Sequence, residues 1–341
     1  MLWGSNPGYS LEAAVLGYSI RTTGTRHEMV LLHSADVPHG WLNLLRKVGW
    51  TLRLVEKLEC HRSIYAGGRF EHTFTKLQVL NLVQYRKVVL LDTDLLFRFN
   101  NDHLFNRQAP AALRRHASAD FPDGQVMDQR SFFDQNGALT GGINAGVVLL
   151  EPKECHYCAM LETIREPREG RSSRMPEQDW LTEYFSSFGW RHLGVTYNYQ
   201  PHQIIFTNRK GLEDCTRLKT NPENARIAHF SALPKPSHLV VDPKYGPDQT
   251  DESEWCGPGR NVSREQIQFA NVDMLTAYEQ GRHQARWTNQ QPSRLNPAAI
   301  DAQLRAGTVQ LGTDWFIAWN EVRDEFPEVK RLVGIALDRG H

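Results

Sequence analysis

Two carboxylates, Asp92 and Asp94, follow directly on the apolar run Val88–Leu91 and are separated by Thr93. A short apolar run without polar alternation predicts a strand that is buried on both faces, as in a parallel sheet. Open α/β sheets bind their ligands at the carboxyl ends of such strands. Carboxylate oxygens suit Mg²⁺ or Mn²⁺, and through the metal they hold phosphate groups. The pair therefore predicts a metal and phosphate site at this strand end.

Other enzymes and chance proximity also produce an Asp-x-Asp pair. Phosphatases of the haloacid dehalogenase type use the first Asp of such a pair as a nucleophile. They usually have Thr or Val two residues after the second Asp, whereas this chain has Leu96. A sugar nucleotidyltransferase would need a Gly-rich, basic phosphate loop near its start, and the sequence does not fit one. The pair alone thus leaves a metal site and a chance pair of surface carboxylates open.

The elements around this pair predict an α/β fold with a mostly parallel sheet, because helical and strand patterns alternate through the first hundred residues. Predicted helices cover 10–22, 41–48, 74–85, 153–164 and 177–185, and predicted strands cover 29–33, 51–55, 88–91 and 147–150. Residues 226–236 read as a short strand followed by a rigid loop, and 107–138 as a polar, loop-rich stretch. Within that stretch the basic cluster Arg114, Arg115 and His116 is expected in a solvated loop.

Composition limits the class of protein. With 39 Lys plus Arg and 39 Asp plus Glu, the chain carries no net charge to attract nucleic acid or an anionic membrane. No apolar stretch reaches the roughly 18–20 residues that span a bilayer, and the N-terminus lacks a signal-peptide layout. The five cysteines are few and odd in number, so Cys155 and Cys158 read as ordinary thiols. These features predict a cytoplasmic protein without a nucleic-acid partner or membrane span.

The composition changes after about residue 245, where 246–260 is rich in Gly, Pro, Asp and Glu, as linkers are. We expect a main domain at 1–245 and a linker with a helical extension at 246–341. Helical patterns occur at 264–280, 297–305 and 314–337, the last with an apolar stripe that includes Trp315 and Trp319. Packing of this stripe onto the main domain is favoured over a ligand platform.

Four motifs occur in a fixed order along the chain. They are Asp92-Thr93-Asp94 after its strand, Asn144-Ala145-Gly146-Val147, Glu177-Gln178, and His229-Phe230 followed by Lys235-Pro236. Together they resemble glycosyltransferase family 8, which includes glycogenin and galactinol synthase, over about residues 2–240. The resemblance implies a GT-A fold and a retaining hexosyltransferase that uses a UDP-sugar, UDP-glucose or UDP-galactose, with Mn²⁺ or alternatively Mg²⁺. The acceptor, whether sugar, polyol or protein, and the oligomeric state stay open.

The resemblance also implies roles for individual residues. Asp92, Asp94 and His229 correspond to metal ligands, and the imidazole favours a transition metal. Lys235 corresponds to the lysine that stabilises the departing UDP, and Lys76 to the lysine that contacts the donor sugar. Judged alone, His229 reads as a packed core residue and Lys76 as a helix-surface lysine.

Further residues correspond to donor and catalytic positions of the family. The implied donor contacts are Ser5, Asn6, Tyr9, Thr93 and Ala232, and the implied catalytic residues are Asn144, Glu177 and Gln178. Asn144 would lie near the transferred sugar, and Glu177-Gln178 would flank its anomeric carbon; a surface-helix carboxylate is the other reading of Glu177.

Several positions depart from the family pattern. Glu177 stands in place of Asp, Ala232 in place of Gly and Ser237 in place of Trp. The first strand is also shorter than the family's, which predicts weakened uridine binding and stability. These departures support the alternative of a catalytically silent protein that binds nucleotide sugars.

The acceptor hydroxyl is the least determined part of the reaction. In glycogenin a tyrosine downstream of a Tyr-Asn dipeptide receives the first glucose. Here Tyr197-Asn198 is present, but Ile205 stands at the corresponding place and offers no hydroxyl. Self-glucosylation there is excluded, and Tyr197 and Tyr199 remain as substitutes.

Overall fold

The computed structural model describes residues 1–61, 72–115, 122–166, 176–201, 222–231, 235–241 and 302–338. The first half contains α1 (Pro7–Thr22), β1 (Val30–His33), α2 (His39–Val48), β2 (Thr51–Leu54), β3 (Val88–Leu91), β4 (Leu95–Phe97), β5 (Ala111–Arg114) and β6 (Val126–Met127). The second half contains β7 (Ile143–Leu150), α3 (Glu154–Arg165), α4 (Pro176–Ser186), β8 (Trp190–His192), β9 (Ile227–His229), α5 (Pro236–Val241), α6 (Ala302–Glu325) and α7 (Glu328–Asp338).

Helix α1 begins at Pro7, earlier than its apolar spacing predicts. Asn6 caps it, because the Asn6 Oδ1 accepts a hydrogen bond of 2.9 Å from the Gly8 amide. Asn is a favoured N-cap residue and Pro is favoured at the first helical position. The cap residue and the proline therefore set the start of α1.

The helix predicted over 74–85 is instead a 3₁₀ helix, Thr73–Asn81. Its fully buried apolar residues, Phe74, Leu77 and Leu80, recur every third position. A 3₁₀ helix has three residues per turn, so this spacing places all three on one face. The same spacing also fits an α-helix, which is why the sequence pattern did not separate the two.

The central sheet has five strands in the order β3-β7-β5-β8-β6, and it is mixed where the sequence predicted mostly parallel pairing. Strand β7 pairs antiparallel with both β3 and β5, while β5 pairs parallel with β8. Two further pairs are β1-β2, parallel, and β4-β9, antiparallel. A continuous apolar run indicates burial on both faces but carries no information on the direction of the neighbouring strand.

Residues 107–138, predicted as loop-rich, contribute β5 to the middle of the sheet. Ala111, Ala112 and Leu113 are buried there. This apolar run is too short to predict a strand by itself, and hydrogen bonds within the sheet hold it in place. The basic cluster is also not solvated: the Arg114 guanidinium donates to the Ser131 carbonyl at 2.9 Å, and that of Arg115 pairs with Asp179. His116 lies outside the described residues.

The core lies on both faces of the sheet, as β7 shows. Val147 and Leu149 belong to one hydrophobic cluster, and Val148 and Leu150 to another. This burial confirms the prediction that 147–150 is a strand covered on both faces.

Helix α6 packs onto the main body, as its apolar stripe predicts. Trp315 and Trp319 are buried in the same cluster as Leu11 and Val15 of α1. The predicted helix 314–337 is divided between α6 and α7 around Pro327, because proline interrupts helical hydrogen bonding. The predicted helices 264–280 and most of 297–305 lie outside the described residues, and the domain boundary at 245 stays a prediction.

In the part of the chain that the structure describes, no helix is both long enough and apolar enough to cross a bilayer. Location in the cytoplasm stays a prediction. Cys155 and Cys158 are exposed free thiols on α3.

Candidate functional site

The turn between β3 and β4 carries the Asp-x-Asp pair and is fixed by the backbone on both sides. The Asp92 amide donates to the Gly146 carbonyl of β7 at 3.0 Å, and the Phe230 amide next to β9 donates to the Asp94 carbonyl at 2.9 Å. The two strands that hold the turn also carry Asn144 and His229. The fold thus brings three of the four sequence motifs to one place.

Asp92, Asp94 and His229 could hold a metal ion, since their ligand atoms lie within 4.8 Å of one another. The Nε2 of His229 lies 3.3 Å from the Oδ1 of Asp94. That oxygen is buried and, among the described residues, accepts no hydrogen bond. A buried carboxylate oxygen without a donor is unfavourable, and a divalent cation would satisfy it. The donor set therefore fits a metal.

Two buried lysines neutralise the aspartates. The Lys235 ammonium lies 2.8 Å from the Oδ2 of Asp94, and the Lys76 ammonium lies 3.0 Å from the Oδ1 of Asp92 and 3.1 Å from the Oε1 of Glu177. Lys76 is therefore not a surface lysine.

These contacts fix the charge states of the groups around the turn. Burial by itself would lower the pKa of Lys76, but Asp92 and Glu177 raise it above its ordinary value. Burial opposes the shift at Lys235 too, yet Asp94 and Glu12 raise its pKa. Burial would raise the pKa of Asp94, whereas Lys235 and His229 hold it well below its usual range. Both lysines are cationic and Asp94 is ionised at neutral pH.

Glu12 of α1 is a site residue that the sequence analysis missed. Its Oε2 accepts from the Thr93 hydroxyl at 3.1 Å, and its Oε1 accepts from the Ser237 hydroxyl at 2.5 Å. It lies 3.8 Å from the Lys235 ammonium, and burial raises its pKa although Lys235 opposes the shift. The available signal was an acid within the apolar run 11–16, because such a charge needs buried partners.

Helix α4 carries the Glu177-Gln178 pair and is attached to the first half of β7. The Gln178 Oε1 accepts from the Ala145 amide at 2.8 Å, and the Thr182 hydroxyl accepts from the Ile143 amide at 3.0 Å. Glu177 is only 3% exposed, so it is not a surface-helix carboxylate. Its Oε2 is buried and has no hydrogen-bond partner among the described residues, which leaves an acceptor for a ligand hydroxyl.

The family model described as Glycosyl transferase family 8 matches residues 4–238. The chain belongs to glycosyltransferase family 8. This membership confirms the α/β fold class of the GT-A type, with the sheet corrected to mixed, and it confirms the predicted enzyme class, a hexosyltransferase of this family.

Several family relatives resemble the chain over most of its length. Uncharacterized protein R707 of Acanthamoeba polyphaga mimivirus is 31% identical over 74% of this chain and 86% of its own. Glycogenin-1 of Mus musculus is 26% identical over 70% of this chain and 65% of its own. Inositol phosphorylceramide glucuronosyltransferase 1 of Arabidopsis thaliana is 28% identical over 53% of this chain. The chain spans only 28% of that plant protein's length.

The solved structures that the chain resembles include two glycosyltransferases. A galactosyltransferase structure, LgtC in complex with donor and acceptor sugar analogs, has 16% identity and a TM-score of 0.45, and covers 69% of this chain and 87% of its own. The bifunctional glycosyltransferase WbbM has 15% identity and a TM-score of 0.49, and covers 70% of this chain and 46% of its own.

The donor positions implied by family 8 are only partly assembled around the metal ligands. Tyr9 is 40% exposed, and the Lys235 ammonium lies 5.5 Å from the centre of its ring. Thr93 binds Glu12, and the side-chain oxygen of Asn6 is engaged in capping α1. Ser5 is exposed, and Ala232 lies outside the described residues. Donor contacts at these positions stay predictions.

The two tyrosines that could substitute for the self-glucosylated tyrosine of glycogenin are both buried. Tyr197 is 8% exposed and Tyr199 only 1% exposed. The Tyr197 hydroxyl is moreover bound to the Nε2 of His103 at 2.8 Å and to the Arg107 guanidinium at 3.0 Å. Ile205 lies outside the described residues. Neither buried tyrosine is a suitable acceptor.

Proposed function

We propose that this chain transfers a hexose from a UDP-sugar, UDP-glucose or UDP-galactose, to a hydroxyl acceptor with retention of configuration, and that it uses Mn²⁺. The cluster of Asp92, Asp94 and His229, with the unpartnered Oδ1 of Asp94, carries the proposal. Two carboxylates also suit Mg²⁺, but the imidazole favours a transition metal.

In this reaction some site residues would bind the metal ion and others would stabilise the leaving UDP. Asp92, Asp94 and His229 would hold the ion, which when bound supplies positive charge to the diphosphate oxygens. Lys235 lies beside Asp94 and would stabilise the charge that grows on UDP as the bond to the sugar breaks.

The sugar would lie toward Lys76, Asn144 and Glu177. The free Oε2 of Glu177 would accept from a sugar hydroxyl or attack the anomeric carbon, which is one route to retention. In the other route the acceptor attacks from the face that UDP leaves. The geometry of the described residues is compatible with both.

The experiment is a panel of UDP-glucose, UDP-galactose and UDP-glucuronate with Mn²⁺, Mg²⁺ or a chelator, scored for UDP release with and without candidate acceptors. We expect release that requires a divalent ion and is fastest with Mn²⁺. Tight UDP binding without release from any donor would instead favour the silent nucleotide-sugar-binding protein.

The first prediction concerns the metal carboxylates. Asp92→Asn and Asp94→Asn remove one charge each and should lower turnover by about 10²–10³-fold, the scale of losing one charge-stabilising group. Glu151→Gln is the matched control, because this side chain is 40% exposed and pairs with Lys153 away from the metal ligands. Full turnover in either aspartate variant would refute the site assignment.

A further inference from the structure

A chain of hydrogen bonds runs behind the metal ligand His229. The Gly146 amide donates to the Oδ1 of Asn144 at 2.9 Å, and the Nδ2 of Asn198 donates to the same oxygen at 2.9 Å. The Oδ1 of Asn198 then lies 2.7 Å from the Nδ1 of His229. The chain therefore links a backbone amide of β7 to the ring of His229.

The direction of every bond in this chain follows from its first member. A backbone amide can only donate, so the Asn144 atom that meets Gly146 is the oxygen. The Asn198 atom that meets this oxygen must then be the nitrogen, which leaves the Asn198 oxygen facing His229. Because that oxygen can only accept, the Nδ1 of His229 carries a proton.

We propose that Asn144 and Asn198 are positioning residues that hold His229 in the Nδ1–H form and so present its Nε2 lone pair to the metal. The inference rests on the metal site of the proposed function. The hydrogen bond that one ring nitrogen makes decides which nitrogen is free to ligate. Here the free nitrogen is the one that faces Asp94 at 3.3 Å.

The ring of His229 packs closely against β7. A Cβ on Gly146 would lie 2.3 Å from the Cε1 of His229, so the ring rests against the bare backbone of β7. His229 is 2% exposed and Asn198 is fully buried. Gly146 thus both receives the ring and begins the hydrogen-bond chain.

The role of Asn144 changes accordingly. Its Oδ1 already accepts from Gly146 and Asn198, so this atom serves the metal ligand through Asn198. Asn198, which the sequence analysis treated only as part of a Tyr-Asn dipeptide, becomes the residue in direct contact with His229.

The first test measures the tautomer directly in the metal-free protein. Histidine labelled with ¹⁵N, with the His229 signal assigned from a His229→Gln variant, reports which ring nitrogen carries the proton. We expect Nδ1 to carry a proton in the wild type. Asn198→Asp keeps an oxygen that accepts from Nδ1 and should retain this proton, whereas the similarly sized Asn198→Leu should lose it.

The second test measures Mn²⁺ affinity by electron paramagnetic resonance. Loss of a group that orients a metal ligand typically weakens binding by about 10–100-fold, which we expect for Asn198→Leu and, through the freed Asn198 amide, for Asn144→Leu. Asn198→Asp should bind far more tightly than Asn198→Leu. Circular dichroism checks folding, and if Asn198→Leu does not fold, Asn144→Leu against Asn144→Asp gives the same comparison.

Absence of the Nδ1 proton in the wild type would overturn the proposal, as would an unchanged Nδ1 proton and unchanged Mn²⁺ affinity in the Leu variants. Failure of the proposed function looks different. If the wild type binds no Mn²⁺ and releases no UDP, the metal site is wrong, while the tautomer in the metal-free protein still decides whether the two asparagines position His229.

Discussion

Two buried lysines at the site each bridge two carboxylates. Lys76 lies between Asp92 and Glu177, and Lys235 lies beside Asp94 with Glu12 further away. Each lysine thus pairs an aspartate of the turn with a glutamate from a neighbouring helix. Buried ions are tolerated only when their partners are in place, since an unpaired buried charge is strongly destabilising. We therefore expect the charge balance of the site to contribute to folding as well as to binding.

Lys76→Met tests this balance. The substitution leaves the Glu177 side chain, which is 4% exposed, as a buried charge without its cation. We expect a loss of about 3–5 kcal/mol in the free energy of unfolding, measured by urea denaturation. The double variant Lys76→Met/Glu177→Gln removes the orphaned charge and should recover part of this loss. Equal stability of the single and double variants would show that Glu177 does not depend on Lys76.

The site residues that belong to sequence motifs could be predicted, but the residues that contact and position them could not. Asp92, Asp94 and His229 were predictable together, because the order of their motifs resembles the family. Glu12 belongs to no such pattern, and Asn198 was noted only as part of a Tyr-Asn dipeptide. Their importance depends on contacts across long sequence separations. Glu12, for example, is bound by Ser237, 225 positions away in the chain. Such pairs become visible only when the fold brings them together.

At the scale of elements, the position of α1 depends on a close contact between Gly17 and Trp50. The Trp50 indole donates to the Ala13 carbonyl at 2.9 Å, and a Cβ on Gly17 would lie 2.2 Å from its Nε1. Trp50 immediately precedes β2, so this contact joins the first helix to the β1-β2 pair. The glycine is required for space and not for its backbone conformation.

Gly17→Ala should therefore destabilise the protein, although alanine is ordinarily the better helix former. Overpacking a filled core typically costs about 1–3 kcal/mol, and we expect a loss of this size in urea denaturation. Gly194→Ala is the control, since a Cβ there would meet no atom closer than 3.4 Å. If Gly17→Ala were more stable than the wild type, the indole could shift away and the contact would not position α1.

Some strands were predictable from their apolar runs, but β4, β5, β6 and β8 were not, and neither was the pairing. The run 88–91 gave β3, yet nothing in it indicates an antiparallel neighbour. Strand β5 was missed because Ala111 and Ala112 give little hydrophobic signal, and its place is set by hydrogen bonds from β7 and β8. Both the antiparallel neighbour of β3 and the formation of β5 depend on tertiary pairing, which local sequence patterns do not encode.

At the scale of the whole molecule, α6 and α7 complete the core that α1 begins. Among the described residues, three ion pairs join them to the main body: Arg98 with Asp314 at 2.8 Å, Arg21 with Glu325 at 2.7 Å and Lys47 with Glu328 at 2.5 Å. The latter two pairs are largely at the surface, where ion pairs contribute little. The apolar contacts of α6 should therefore provide most of the attachment.

Trp315→Ala measures that attachment. Trp315 is 1% exposed, and truncation of a buried Trp typically costs about 3–5 kcal/mol of unfolding free energy. Ile317→Ala on the same helix is the matched control, because Ile317 is 45% exposed and should change stability by no more than about 0.5 kcal/mol. If both variants melted at the wild-type temperature, α6 would not be part of the cooperative unit.

Helix α1 contacts both the site and the C-terminal helices. Glu12 accepts a hydrogen bond from Thr93 of the Asp-x-Asp turn, while Leu11 and Val15 belong to the same hydrophobic cluster as Trp315. The match to the family ends at residue 238, but this cluster does not. The segment that the family model matches is thus smaller than the segment that shares this apolar cluster. A chimera that exchanges α6 and α7 between family members would have to exchange the matching face of α1 as well, because the three helices share one apolar cluster.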